Sequence, residues 1–281
     1  LLKIELDEEK SISLVGYWNY KVGVNWDDLT SLFINPDTPS YPTVLSNAMI
    51  EPIIPYRIKG VIWYQGESNV GEAYKYQKLF PTLIKDWRQR WGSGDFPFLF
   101  VQLANYMNLS DVQVEDTWAE LREAQFMTLQ EPNTGMAITI DIGDAEDIHP
   151  KNKQEVGRRL ALNALKLVYN KDIIHTGPLF KSFIINDNYF ELKFENIGEG
   201  LVVINGNGTL LGFSIAGSDR KFIWANAEIV GDLVKVWNPL IDNPIAVRYS
   251  WASNPIGNLV NSAQLPASPF RTDNWPGVTG P

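Results

Sequence analysis

The sequence predicts an α/β fold, a parallel sheet flanked by helices, followed by a β-rich module. Two observations carry this. Between residues 58 and 170, short apolar runs alternate three times with longer stretches whose apolar residues recur at helical spacing. Alternation of this kind builds a parallel sheet with helices on its faces. After Gly177-Pro178 the helical spacing stops, and short strand-like runs are separated by Asn-Asp, Gly-Glu-Gly and Asn-Gly-Asn-Gly turns, the mark of antiparallel β structure.

Each element follows from its residues. Residues 1–50 read as a polar, helical or irregular lead-in, broken by Pro36, Pro39 and Pro42; Thr43 to Ile50 has helical spacing that Pro52 and Pro55 end. Ile58 to Tyr64 suits a buried strand, with Gln65-Gly66-Glu67-Ser68-Asn69 as the loop after it. Ala73 to Trp91 predicts an amphipathic helix despite Pro81, stopped by Gly92-Ser93-Gly94-Asp95. Phe96 to Leu103 and Gly135 to Ile142 are the second and third strands. Trp118 to Leu129 and Lys151 to Tyr169 are the second and third helices. Phe183 to Ile185, Tyr189 to Phe194, Leu201 to Ile204 and Leu233 to Trp237 are strand-like runs of a sandwich or jelly-roll-like sheet, and the last thirty residues are rich in Pro and Asn. The division is therefore an α/β domain over 1–177 and a β-rich module over 178–281, its C-terminal segment packing back on the α/β domain.

Composition narrows the function classes. Of 281 residues, 44% are hydrophobic and 20% charged, so a packed core is expected. A net charge of -9 repels phosphate backbones and argues against nucleic acid as a partner. No run is long and apolar enough to span a membrane. There is no cysteine, hence no thiolate nucleophile and no cysteine-based zinc site. No His-Glu-x-x-His spacing and no phosphate-cradling glycine loop are present, so no metal and no cofactor are expected. The start, Leu1-Leu2-Lys3-Ile4, is neither an initiator Met nor a signal peptide, and the chain is expected to be a piece of something longer.

In a parallel sheet, ligands bind beyond the carboxyl ends of the strands. Two polar runs fall there: Gln65 to Asn69 after the first strand and Asp141 to His149 after the third. The sequence has two histidines. His175 reads as a surface or satisfied core residue. His149 sits in a strand-to-helix loop among Asp144, Glu146 and Asp147, before Pro150, which suits the first turn of the next helix. A neighbouring acid would orient the ring for general-base work; the alternative is a solvated acidic loop with a capping Asp. Gln65 and Asn69 can donate to an oxyanion, Gly66 permits close backbone approach, and Glu67 is an acid/base or structural carboxylate. The alternative is a polar turn with Ser68 or Asn69 capping a helix. No Gly-x-Ser-x-Gly elbow exists, and Ser68 is the only serine inside a candidate site.

Lys59-Gly60-Val61-Ile62-Trp63-Tyr64-Gln65-Gly66-Glu67-Ser68-Asn69, Phe80-Pro81-Thr82-Leu83-Ile84-Lys85-Asp86-Trp87-Arg88, Phe96 to Ala104, Trp118 to Gln125, and Asp141-Ile142-Gly143-Asp144 leading to Asp147-Ile148-His149-Pro150-Lys151-Asn152-Lys153 resemble the sialate O-acetylesterase family. Leu211-Gly212-Phe213, Ala246-Val247-Arg248-Tyr249, Asn254-Pro255 and Pro269-Phe270-Arg271-Thr272-Asp273 extend the resemblance over nearly the whole chain. It implies an SGNH-type hydrolase with a flavodoxin-like sheet, cleaving acetyl esters on sugars, sialic acid among them, by a serine and a histidine. It implies His149 as base, Gln65 as an oxyanion donor, and Glu67, Ser68 and Asn69 as residues lining the substrate. It also implies a periplasmic or extracellular location.

The family's serine block and second glycine block precede the Gln-Gly-Glu block, and neither is found in residues 1–57. The nucleophile is thus expected from an N-terminal segment upstream of this chain, which alone would be inactive. SGNH enzymes often place Asp three residues before the His; Glu146 stands there, and Asp147, Asp144 or a backbone carbonyl can take its part. Two other readings compete: a glycosidase pairing Glu67 with Asp144, Glu146 or Asp147, and a non-catalytic glycan-binding fragment.

Overall fold

The structure, a computed structural model, describes residues 3–7, 10–13, 41, 43–109 and 115–280. The chain divides into two compact units, Leu1–Pro55 and Tyr56–Pro281.

In the first unit, β1 (Lys3–Asp7) and β2 (Lys10–Ser13) pair as an antiparallel hairpin. This corrects the helical or irregular lead-in expected over 1–50. The physical reason is visible in Lys-Ile-Glu-Leu-Asp, which alternates with period two, as a strand requires. A π-helical turn, Ser46–Ile50, followed by the 3-10 turn Glu51–Ile53, occupies the segment of helical spacing.

The second unit opens with the parallel sheet. Its strands β3 (Val61–Trp63), β4 (Phe98–Gln102) and β5 (Thr134–Ile138) lie in that order. Helices α1 (Ala73–Trp91), α2 (Thr117–Met127) and α3 (Lys153–Leu167) alternate with them. The α/β fold class predicted from the alternation is the one observed. β4 is buried along its whole length, which its uninterrupted apolar sequence foretells. Phe80, Ile84, Phe98, Phe100, Trp118, Leu121 and Met136 form the core on the α1–α2 side. Val101, Ala137 and Val156 form the one under α3.

β3 departs from the expected buried strand. It has three residues rather than the run from Ile58 to Tyr64, and Ile62 is 71% exposed. β3 lies at the sheet edge, and α3 covers β4 and β5, so among the described residues nothing shields Ile62. α3 also starts two residues later than expected. Its N-cap is Asn152, whose side chain accepts from Glu155 N–H at 3.1 Å, so Pro150 precedes the helix instead of opening it.

From residue 179 onward the strands are antiparallel. Two four-stranded sheets have the orders β11-β12-β7-β6 and β10-β9-β13-β15, where β6 is Leu179–Asn186, β7 Tyr189–Glu195, β9 Phe213–Ala216, β10 Phe222–Trp224, β11 Asn226–Val230, β12 Leu233–Trp237, β13 Ala246–Tyr249 and β15 Phe270–Arg271. β8 (Leu201–Val203) and β14 (Leu259–Asn261) pair beside them. Phe190, Leu192, Val234 and Val236 of one sheet meet Phe213, Ile215, Val247, Tyr249 and Phe270 of the other in one core. The β-rich region is therefore a sandwich with interdigitating inner faces.

Charged side chains join sandwich to helices. Arg248 pairs with Asp273 and Glu115, and Arg271 takes Glu123 in a two-pronged pair at 2.7 and 2.8 Å. The buried Glu120 carboxylate accepts from the backbone N–H groups of Val278 and Thr279 and from the Thr279 hydroxyl. Thr279 Oγ1 in turn accepts from Tyr74 N–H at 3.1 Å, at the start of α1. The Pro- and Asn-rich tail is thus strapped across α2.

Candidate active site

The loops after β3, β4 and β5 gather at the carboxyl end of the sheet, and each is fixed differently. The loop after β3 is held from below. Gln125 of α2, fully buried, donates through Nε2 to the carbonyls of Gln65 (3.2 Å) and Val101 (3.3 Å), and its Oε1 accepts from Leu103 N–H at 2.9 Å. A Cβ on Gly66 would lie 2.9 Å from Leu121 and 3.0 Å from the Gln125 amide. Glycine is required there by close approach to α2.

The Gln65 side chain is itself tethered at both ends. Its Nε2 donates to Asn69 Oδ1 at 2.7 Å, and its Oε1 accepts from the Tyr76 hydroxyl at 3.0 Å. Among the described residues the second amide N–H has no partner, so it is available to an incoming acceptor. Burial, aided by the Glu67 charge, pushes the Tyr76 phenol up to about 12, so it remains a donor at neutral pH. Tyr64 is likewise pushed up to about 12, chiefly by burial and then by Glu67.

Ser68 is exposed, and Glu67 opens the 3-10 turn Glu67–Glu72. Neither Ser68 nor Asn69 caps α1: its N-cap is Glu72, with no side-chain cap. The capping alternative for this loop is thereby set aside, and Asn69 is turned to Gln65 instead.

The loop after β4 is held by Arg122. Its guanidinium, fully buried, donates to the carbonyls of Leu103, Ala104, Ala252 and Ser253 at 2.7 to 2.8 Å. Burial lowers this arginine to about 9. Ser253 is fixed again by the N-cap of α2, Asp116, which accepts from its N–H and its hydroxyl.

The loop after β5 starts from a firm base. Arg159 holds both oxygens of Asp141 at 2.5 and 2.7 Å and donates to the Ile138 carbonyl. Gly143 N–H donates to Asn105 Oδ1 at 2.6 Å, and a Cβ on Gly143 would fall 1.9 Å from the Asn105 carbonyl. Beyond Gly143 the chain curls on itself. Asp144 Oδ1 accepts from Glu146 N–H at 3.0 Å and Asp147 Oδ1 from His149 N–H at 2.9 Å, two successive Asx turns. These backbone N–H groups are the main reason both aspartates titrate below the usual carboxylate range; Lys151 helps at Asp144 and the His149 ring at Asp147.

The acid beside the histidine is Asp147. Its Oδ1 lies 3.4 Å from His149 Nδ1. Glu146 is exposed, and among the described residues its carboxylate makes no bond to the ring. The imidazole is 85% exposed. Among the described residues no hydrogen bond joins His149 to the Gln65 loop. The Lys153 ammonium, at the start of α3, stands 4.8 Å over the ring of Tyr64, just before the Gln65 loop. His175 is half-buried away from both loops, lowered by burial and then by Lys166. Among the described residues no group of acids and histidines is arranged to hold a metal.

Tyr76, Arg122 and Gln125 were missed in the sequence. Tyr76 lies on the inward face of the amphipathic α1, and Arg122 and Gln125 lie on α2, which is buried on most of its surface. Polar residues at such positions are the signal that could have found them.

The carbohydrate esterase family of sialic acid-specific acetylesterases matches residues 28–166. The sialate O-acetylesterase of Mus musculus is 35% identical over 261 residues, covering 83% of this chain and 47% of that protein. That of Homo sapiens is 31% identical over 277 residues, covering 85% and 51%. A crystal structure of a carbohydrate acetylesterase from Xanthomonas citri superimposes with a TM-score of 0.78 at 45% identity, over 83% of this chain and 55% of that one. The chain belongs to the sialate O-acetylesterase family. It spans about half the length of the curated relatives it matches. Within this family member, the Gln-Gly-Glu-Ser-Asn and Asp-Ile-His-Pro blocks both end up at the carboxyl end of the parallel sheet.

Proposed function

We propose that this chain supplies the general base, His149, and one oxyanion donor, Gln65, to an enzyme that hydrolyses acetyl esters on sugars, sialic acids among them. A serine oxygen attacks the acetyl carbonyl carbon while its proton passes to His149. The carbonyl oxygen becomes an oxyanion and accepts the uncommitted Gln65 N–H. Collapse expels the sugar hydroxyl, which takes the proton from His149, and water then releases acetate from the serine by the same steps. Asp147 steadies the imidazolium formed midway. The serine is expected from a segment N-terminal to the residues described, and the enzyme is expected to act in the periplasm or outside the cell.

The observation that carries this reading is the Gln65 amide, held at both ends with one donor left over at the carboxyl end of the sheet. The carboxylate-pair alternative has less support. Asp144 and Asp147 each accept from a backbone N–H of their own loop, and among the described residues no hydrogen bond joins that loop to Glu67, the other half of the pair. The test is acetate release by the full-length protein from a chromogenic acetyl ester and from an O-acetylated sialoside. His149→Ala should cut kcat by about 10³-fold or more. Undiminished activity in that variant, or a new reducing end in place of acetate, overturns the reading.

A further inference from the structure

Gln65 is useful as an oxyanion donor only if its NH2 end, and not its oxygen, faces the reacting carbonyl. An amide is nearly symmetric in shape, so packing alone does not choose between its two orientations. Hydrogen bonds do. Here the oxygen end faces a group that donates, the buried Tyr76 hydroxyl at 3.0 Å. The nitrogen end faces one that accepts, Asn69 Oδ1 at 2.7 Å. Turning the Gln65 amide over with Asn69 in place would set two acceptors, Gln65 Oε1 and Asn69 Oδ1, against each other, and the Tyr76 hydroxyl would have to turn its proton away and accept instead, so Tyr76 and Asn69 fix the orientation together.

We propose that Tyr76, with Asn69, is a positioning residue that locks the Gln65 amide so that one N–H is left pointing at the developing oxyanion. The proposal rests on Gln65 having the oxyanion role given above. Tyr76 suits the task because its ring is anchored 5.3 Å from Phe80 in the α1 core, so its hydroxyl is fixed by the helix rather than by the loop it braces. Asn69 Oδ1 is thereby given to Gln65, while the Asn69 amide N–H groups stay available to a substrate.

The experiment is a double-mutant cycle in the full-length enzyme, read as acetate release. Tyr76→Phe removes the hydroxyl and keeps the ring. Losing the lock should lower kcat about tenfold, below the 10²- to 10³-fold typical for deleting an oxyanion donor outright, and should leave KM unchanged. In a Gln65→Ala background the same change should cost less than about twofold, because residues acting through one another are not additive. Asn69→Ala should show the same pattern and stands in if Tyr76→Phe does not fold. Equal losses in both backgrounds would mean a packing role and overturn the proposal, as would no loss in the enzyme that keeps Gln65. If Gln65→Ala itself keeps full kcat, the oxyanion reading fails, and that outcome is seen without reference to Tyr76.

Discussion

The two polar loops of the site are built on opposite plans. The Gln65 loop is made by its surroundings: Gln125 takes its backbone, Leu121 packs on Gly66, and Tyr76 fixes its side chain. The His149 loop is made more by itself. Past Gly143 it is shaped by Asx turns between neighbours in sequence, with one backbone tie from Met107 N–H to the Ala145 carbonyl at 3.1 Å and Ile148 packed on the core, and its histidine stands in solvent. The first is preorganised, its amide held at both ends with one N–H left over among the described residues. The second has its ring steered by one acid at 3.4 Å, too long for a strong hydrogen bond.

The contrast can be broken, beginning where the effect is largest. His149→Ala removes the proton acceptor outright, so its loss of about 10³-fold in kcat should exceed that of Gln65→Ala, near 10²-fold; kcat measured side by side checks the order. Arg122→Met should leave four carbonyls of the β4 and 252–253 loops without their donor and cost about 3 kcal/mol or more of stability, read by denaturant unfolding. No single substitution of the polar residues Asp144, Glu146, Asp147 and His149 should cost more than about 1 kcal/mol, because they are exposed or half-exposed. If the two effects match, the loops are not built differently.

Smaller effects separate the acids. Asp147→Asn should slow the enzyme by about tenfold or less, since its contact with the ring is long and solvated, and Glu146→Gln by less than about twofold. The reverse order would restore Glu146 as the partner. The pH profile sharpens the same point. Asp147 is depressed, so it is already ionised wherever an imidazole titrates, near pH 6.5 in the ordinary case. Only neutral imidazole accepts the serine proton, so kcat/KM should rise with pH, and the acid limb should have a slope of one on a log plot. A slope of two would mean that a carboxylate loses its proton in the same range.

Much of this was readable in advance. The three strand–helix repeats, the texture change at residue 178 and the placement of both polar runs after strands follow from periodicity and turn residues. The edges were less legible. Ile58 to Tyr64 reads as a buried strand because apolar content does not say which strand lies at a sheet edge, and Ile62 is exposed there. The β1–β2 hairpin hid in a charged segment whose alternation is short. Within the site, the acidic run around His149 offers three acids at similar spacing, and only the folding of the Asx turns singles out Asp147.

By itself, the sequence determined the fold class and the two polar loops that follow strands, because these depend on local spacing; His149 and Gln65 were singled out within those loops by the family resemblance. Tertiary structure alone decided what holds them: Gln125 and Tyr76 under Gln65, Arg122 under four carbonyls, Gly143 against Asn105 and the tail strapped over Glu120. Those contacts join residues from 11 to 159 positions apart. Hydrogen-bond satisfaction in a buried site is a property of the packed chain, and no local pattern encodes which distant group will supply it.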